Sequence, residues 1–362
     1  MVSNLEHKLY AIEKQFSFKG HPVFRLNAVR RKYLNIFIDE IISKNIKLKH
    51  INACLCGSHN LRKVAYQDRF GLPFVQFICE DCGILNTSPK IDDSSIEDYY
   101  KRIYHPLVVG IESGESNTYS FSDEQGNNIF NFLKKNLLAS GANKINIIEI
   151  GCAAGDNLIS LEARLKKCGI KASIFGSEYQ SDLVKIAKSK GIKIIDRVED
   201  LLSSSVRFDL VIMSHVFEHL SNPNIILDML KKIINNDGIL YIEVPGIQNI
   251  EMINTYYGGD LNDYLIHAHF YNFNLNSLAN YLNINGFKLL AGNEKVQSVF
   301  IVGETTNNYL RKENYKNIIS CIYKHQILRI NNISKISIRS IKNIIVRYFN
   351  RRNLNKLGKT EF

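Results

Sequence analysis

Apolar residues recur along this chain with two periods, and the changes of period mark its elements. Near-continuous apolar runs at 145–150, 172–176, 192–195, 210–214 and 239–244 read as strands buried on both faces. Segments 157–167, 181–188 and 225–234 fall between them with apolar positions at helical spacing. Strands alternating with helices predict an α/β fold: a doubly wound parallel sheet that takes its ligands at the carboxyl ends of the strands. Residues 287–291 and 298–303 read as an antiparallel pair closing that sheet. Ahead of it, residues 1–50 read as helical, with Leu34, Phe37, Ile38, Ile41 and Ile42 on one face for the main body or a second subunit. Residues 64–66 and 74–78 have strand character, Asp92 to Ser95 looks like a helix start leading into 96–104, and 129–138 reads as a helix. The Ser-, Gly- and Glu-rich stretch 110–123 is predicted to be a mobile loop.

Where the first strand ends, Glu149-Ile-Gly151-Cys152-Ala-Ala-Gly155 makes a small-residue turn that opens directly into a helix. Gly151 and Gly155 let the backbone approach a ligand, and Glu178, closing the next strand, can accept hydrogen bonds from both hydroxyls of a ribose. The spacing is not the G-x-G-x-x-G that meets a pyrophosphate, and an acid at Glu149 repels one while suiting an ammonium group. With the turn at 208–220 (Phe-Asp-Leu-Val-Ile-Met-Ser-His-Val-Phe-Glu-His-Leu), the strand at 237–245 and the segment 267–287, the chain resembles the class I S-adenosylmethionine-dependent methyltransferases. Ala153 stands where that family usually has a middle glycine. The resemblance implies a Rossmann-like, seven-stranded sheet and S-adenosylmethionine as cofactor. It also implies cofactor contacts from Glu149, Gly151, Cys152, Gly155, Glu178, Tyr179 and Ser214, with Asp196 or Glu199 facing the adenine.

Four of the seven cysteines cluster as Cys54-Leu-Cys56-Gly57 and Cys79-Glu-Asp-Cys82-Gly83. Two such pairs on neighbouring turns can place four thiolates around structural Zn²⁺. The first pair is one residue short, which leaves His50 and His59 as substitutes for Cys54. Cys152, Cys168 and Cys321 read as buried thiols. The ribbon, followed by Pro89, Tyr99, Tyr100 and Tyr104, is similar to the N-terminal zinc-binding segment of methyltransferases acting on nucleotide-linked or polysaccharide-linked sugars. The two resemblances together cover about residues 51–303 and imply a sugar or glycan acceptor. The C-methyltransferases of that kind carry a sizeable further domain after the core, and here 56 residues follow residue 306, which leaves O- or N-methylation, O-methylation first.

From Asn307 onward there are 13 Lys/Arg and 2 Asp/Glu, so the remainder is balanced at 33 of each and the whole excess of +11 sits in the tail. A catalytic domain that tracks nucleic acid has no such distribution, so nucleic acid is not expected as a partner. Ile327, Ile330, Ile333, Ile338, Ile341, Ile344, Ile345 and Tyr348 share one arc of a helical wheel opposite Lys335, Arg339 and Lys342. Such a helix suits an anionic membrane face or a glycan-assembly partner, and equally suits packing on its own protein. With no apolar leader or bilayer-length run, the expected location is cytoplasmic, or peripheral at the inner face of the membrane.

These readings divide the chain at 1–50 (helical extension), 51–92 (ribbon), 93–140 (connector), 141–305 (cofactor-binding domain) and 306–362 (basic tail). For a hydroxyl acceptor the proton must go to a base, and His215, His267 and His269 are the candidates; Glu218 and His219 read as structural, fixing the turn and supporting His215. Tyr256, Tyr257 and Tyr264 suit a sugar-facing wall and equally suit the core. The alternatives are an RNA methyltransferase with a zinc-binding substrate module and a non-catalytic scaffold that keeps the cofactor fold.

Overall fold

The seven-stranded sheet follows from burial on both faces. In the computed structural model, which describes residues 4–112, 123–139, 141–195, 198–203, 205–257, 259–304 and 312–327, thirteen strands are present among the described residues. They are β1 (Leu48–Lys49), β2 (Leu61–Ala65), β3 (Val75–Cys79), β4 (Leu85–Ser88), β5 (Lys90–Ile91), β6 (Lys144–Ile150), β7 (Lys171–Ser177), β8 (Lys193–Ile195), β9 (Phe208–Ser214), β10 (Ile234–Glu243), β11 (Tyr271–Asn272), β12 (Phe287–Gly292) and β13 (Gln297–Val302). The main sheet has the order β12-β13-β10-β9-β6-β7-β8. Strands β6 to β10 within it are parallel, and β13 runs antiparallel to both of its neighbours. Leu210 and Ile212 enter one hydrophobic cluster while Val211 and Met213 enter another, the period of two that a doubly covered strand requires.

The crossover helices run Asp156–Lys167, Ser181–Ser189 and Pro223–Ile233. The last stops one residue earlier than its apolar pattern, because Ile234 already pairs with Phe208 as the start of β10. Asp92 caps the helix Asp93–Tyr99 by accepting from Ser94 N, and the chain continues through a π turn, Tyr100–Tyr104, into His105–Val109. Most of the stretch 110–123 and all of the tail helix past Ile327 lie outside the described residues.

Two of the five expected divisions do not hold as boundaries. The ribbon strands form a second sheet in the order β11-β4-β3-β2, so a strand from residue 271 completes it. Cys54, Cys79, Cys82 and Phe37 share one cluster with Val211, Phe217 and Phe270 of the main body, and the ribbon therefore has no core of its own. The start of the tail is anchored as well. Helix Lys312–Ile322 buries Ile318, Ile319 and Ile322 against Leu9, Ile12 and Phe16. Cys168 is exposed and Cys321 half-buried, against the expectation of buried thiols; Cys168 caps a helix end at the surface. Among the described residues no helix is long and apolar enough to cross a membrane.

Asn314 joins tail to ribbon. Its Nδ2 donates to Cys82 O at 2.8 Å, and its Oδ1 accepts from Asn274 Nδ2 at 2.7 Å, all out of water. Asn314→Ala takes this donor from the buried Cys82 carbonyl and leaves Asn274 Nδ2 with Gln248 Oε1 alone, with an expected loss of about 1–3 kcal/mol in urea unfolding; an unchanged midpoint contradicts this anchoring.

Candidate functional site

Parallel strands bring their carboxyl ends to one edge, and the predicted cofactor residues follow them there. Gly151 (φ 68°) and Gly155 (φ 79°) are both left-handed, and Ala153 between them is also left-handed at 47°. An added Cβ on Gly151 would lie 2.5 Å from Val216 Cγ2, and one on Gly155 would lie 1.9 Å from Ile192 Cδ1. The turn has neither conformational nor steric room for side chains at those positions. Cys152 is buried, its sulfur set over Gly176, and the Gly151 and Cys152 amides donate to Ser177 O at 2.8 and 3.0 Å. Burial pushes the Cys152 thiol well above its ordinary pKa, so it acts as filler.

Glu178 stands just past β7. Its Oε2 accepts from Ala153 N at 3.0 Å, and its Oε1 from Tyr179 N and Gln180 N at 2.8 and 2.9 Å. The carboxylate thus braces the glycine turn from the position the ribose reading assigns it. Tyr179 is 61 % exposed beside it. Ser214 ends β9 within 3.4 Å of Glu243 Oε2, which also accepts from Gln125 Nε2 at 2.6 Å and Tyr241 OH at 2.9 Å. Glu199 is exposed on the turn Val198–Ser203, and Asp196 lies outside the described residues.

Glu149 is buried, receives Asn157 Nδ2 at 2.8 Å on Oε1 and has no partner on Oε2. Burial, reinforced by Glu178, Asp156 and Glu243, pushes its carboxyl up to about 8. This one protonated acid has room for a donor or a cation.

On the acceptor side the three expected bases separate. His267 is 0 % exposed, with Nδ1 at 2.6 Å from Asp68 Oδ2 and Nε2 at 2.7 Å from Tyr99 OH. Both nitrogens are engaged inside a cage of Phe37, Phe70 and Phe74, so His267 is a core residue and not a base for an acceptor. Of the two readings for Tyr264 the core one holds, since it is buried with its hydroxyl on Pro245 O at 2.7 Å. Tyr257 is half-buried against the Arg69 guanidinium, and the side chain of Tyr256 lies outside the described residues.

His215 follows β9 with φ 55°, rare for a side chain of its size, and its amide is held by Glu243 O at 2.8 Å. The ring is 52 % exposed, with Nδ1 3.7 Å from Glu218 Oε1. Partial burial disfavours the imidazolium, yet the Glu218 carboxylate outweighs it and lifts the His215 pKa above its ordinary value. Glu218 itself is 1 % exposed, and neither oxygen accepts a hydrogen bond. Burial alone would raise its pKa, but His219, His215 and His269 together hold it down at about 2. His219 gives Nδ1 to Ala268 O at 2.8 Å, stacks edge-on with Tyr100 and Tyr104, and meets His269 at 4.9 Å between ring centres. Burial, then His219, drives His269 down to about 3.

The cysteines converge as expected, including Cys54. Cys54 and Cys82 sulfurs are 3.6 Å apart, Cys56 and Cys79 sulfurs 3.7 Å, and all four lie within 4.8 Å of one another. Tetrahedral zinc with bonds of ~2.3 Å needs S···S of about 3.8 Å, so the set fits. His59 turns away to Asn52 O. Glu218 stands beside His215, the supporting place its turn suggests, whereas Glu243 and Gln125 carry no mark in their local sequence until the fold shows what faces them.

Residues 125–291 match the family described as methyltransferase domain. Over 100 residues the chain is 23% identical to (S)-coclaurine N-methyltransferase of Papaver somniferum, a match spanning 27% of this chain and 28% of that protein. A plantazolicin methyltransferase in complex with S-adenosylhomocysteine is 16% identical, with TM-score 0.42 over 64% of this chain and 91% of that one. Magnesium protoporphyrin IX methyltransferase of Synechocystis PCC 6803 is 14% identical, with TM-score 0.39 over 59% and 100%. The matched stretch occupies the middle of the chain, between the cysteine ribbon and the helix Lys312–Ile322.

A cationic group brought to Glu149 favours its carboxylate, so S-adenosylmethionine binding near neutral pH is expected to release up to about one proton. Calorimetry in two buffers of different ionisation enthalpy measures it, and the release should vanish above about pH 9 and in Glu149→Gln. Without ligand the sign is that of a raised acid. The stabilisation from neutral Glu149 is full below the unfolded carboxyl value and is lost as pH rises through about 8.

Proposed function

We propose that the chain methylates a hydroxyl of a sugar, free as a nucleotide sugar or within a surface glycan, with His215 as general base. The carrying observation is the placement of His215. It sits in a strained left-handed conformation at the carboxyl end of β9, ahead of Val216, which fills the space over Gly151. The His215 imidazole and the glycine turn thereby follow neighbouring strands at one edge of the sheet. S-adenosylmethionine, when bound, supplies an electrophilic methyl on a sulfonium. His215 takes the hydroxyl proton as the oxygen–carbon bond forms and the carbon–sulfur bond breaks, and the anionic Glu218 beneath it stabilises the imidazolium. Glu178 and Tyr179 are placed to hold the ribose side, and Glu149 the cationic side.

The sugar assignment is supported by the resemblance of the cysteine ribbon and by the aromatic edge of the acceptor side, where Tyr100 and Tyr104 stand against His219. Flat rings beside a few polar groups suit the apolar face and hydroxyls of a pyranose. Structural Zn²⁺ held by Cys54, Cys56, Cys79 and Cys82 belongs to the same reading. The Ser58 and Cys82 amides hydrogen-bond to the Cys56 and Cys79 sulfurs, which favours thiolates.

His215→Ala is expected to lower turnover by about 10²–10⁴-fold on a panel of nucleotide sugars and glycans, with cofactor affinity nearly unchanged. Turnover only on RNA in the same panel overturns the sugar reading; full turnover of His215→Ala overturns the base. Cys79→Ser is expected to lose zinc by elemental analysis and to raise the acceptor KM, because β4 of the ribbon pairs with β11 beside His269. Retained zinc refutes the ligand set.

A further inference from the structure

We propose that Glu218, His219 and His269 bind a divalent first-row transition metal at a second site, separate from the four cysteines. Their ligand atoms lie within 4.8 Å of one another. Three features point to a missing positive partner. Both Glu218 oxygens are shut off from water without a hydrogen-bond donor, a costly state for a carboxylate. His269 has an unpaired buried Nδ1. His219 has Nδ1 on the Ala268 carbonyl, which fixes the ring so that Nε2, 3.7 Å from Glu218 Oε1, faces the cluster with its lone pair. An imidazole oriented through a backbone carbonyl on its other nitrogen is the usual arrangement of a metal-bound histidine.

Two imidazoles and one carboxylate suit zinc, manganese, iron(II) or cobalt(II), and three protein ligands leave positions open. Ligands drawn in to ~2.0–2.2 Å from a shared ion approach one another to about 3 Å, a closure of less than 2 Å from the present spread. The backbone on both sides can hold such a site. Glu218 and His219 lie on the short 3₁₀ turn Phe217–His219, whose Glu218 O accepts from Phe270 N at 2.9 Å, and the His269 carbonyl is held by Thr87 of the ribbon. With His215 next to Glu218, an ion there belongs to the acceptor side and not to the glycine turn.

Cobalt(II) distinguishes the two metal sites. Titrated into the full-length, zinc-loaded chain, it is expected to give a further equivalent with weak visible d–d bands and no thiolate charge-transfer band, since the new ligands are nitrogen and oxygen. Glu218→Gln, which keeps shape, and His269→Ala should each weaken this uptake by at least about 10-fold while cofactor binding, read by calorimetry, stays intact as the check on folding. No uptake beyond the cysteine site, or uptake unchanged in Glu218→Gln, His219→Asn and His269→Ala, overturns the proposal. Its readout is metal binding, so a failed sugar assay leaves it standing and its failure leaves the methyl-transfer reading standing.

Discussion

The contact between Gly151 and Val216 is the constraint on which the rest of the site depends. Strands β6 and β9 are neighbours and parallel, so the turns that follow them emerge side by side at the same edge. Gly151 has no room for a Cβ against Val216, and its φ of 68° is one that few side chains tolerate. The glycine turn and the turn after β9 are pressed together because one of them is bare backbone. That closeness is what a direct displacement needs, since the donor carbon and the attacking atom must meet without water between them. His215 bears its own backbone strain one residue away, held there by the Glu243 carbonyl across the β9–β10 pairing.

The second dependence runs from the ribbon to the acceptor side. Strand β11 pairs with β4 for only two residues, Tyr271 with Asn86 and Asn272 with Leu85, yet it lies directly after His269. Thr87 adds two bonds, from its amide to Phe270 O and from its hydroxyl to the His269 carbonyl. The module that carries the four clustered cysteines thereby sets the backbone of a residue in the histidine cluster. It does so without touching the cofactor turn, which rests on β7 through Ser177 and on Glu178.

The parallel strands and glycine turn were legible because their signals are local: an apolar run, then residues too small to do anything but turn. The cysteine cluster was legible for the same reason, and the C-x-C spacing proved sufficient because Gly57 adopts φ 86° and closes the knuckle on Cys54. What stayed hidden was every partnership across the chain. His267 and His269 differ by two residues and look equivalent, but one points at Asp68, 199 residues away, and the other at His219. Tyr264 reads equally as wall or core and is core because Pro245 O lies within its reach. The ribbon reads as a separate unit because pairing between residues 85–86 and 271–272 has no local trace.

Two buried glutamates show how the same physics yields opposite results. Glu149 and Glu218 are both 1 % exposed, and burial raises both acids. Around Glu149 the charged neighbours are acids, so only the Asn157 amide opposes desolvation and the group sits at about 8, neutral at physiological pH. Around Glu218 the neighbours are three histidines, which hold it at about 2, an anion at every working pH. The cofactor side therefore offers a carboxyl that can become charged when a cation arrives, and the acceptor side a carboxylate that already is charged and lacks hydrogen-bond donors. Binding a sulfonium and an ammonium costs the first group a proton and relieves its burial, whereas the second is relieved by an imidazolium or a metal ion. The polarity of the cleft is set by which charges the fold brings to each acid, since the depth of burial is the same for both.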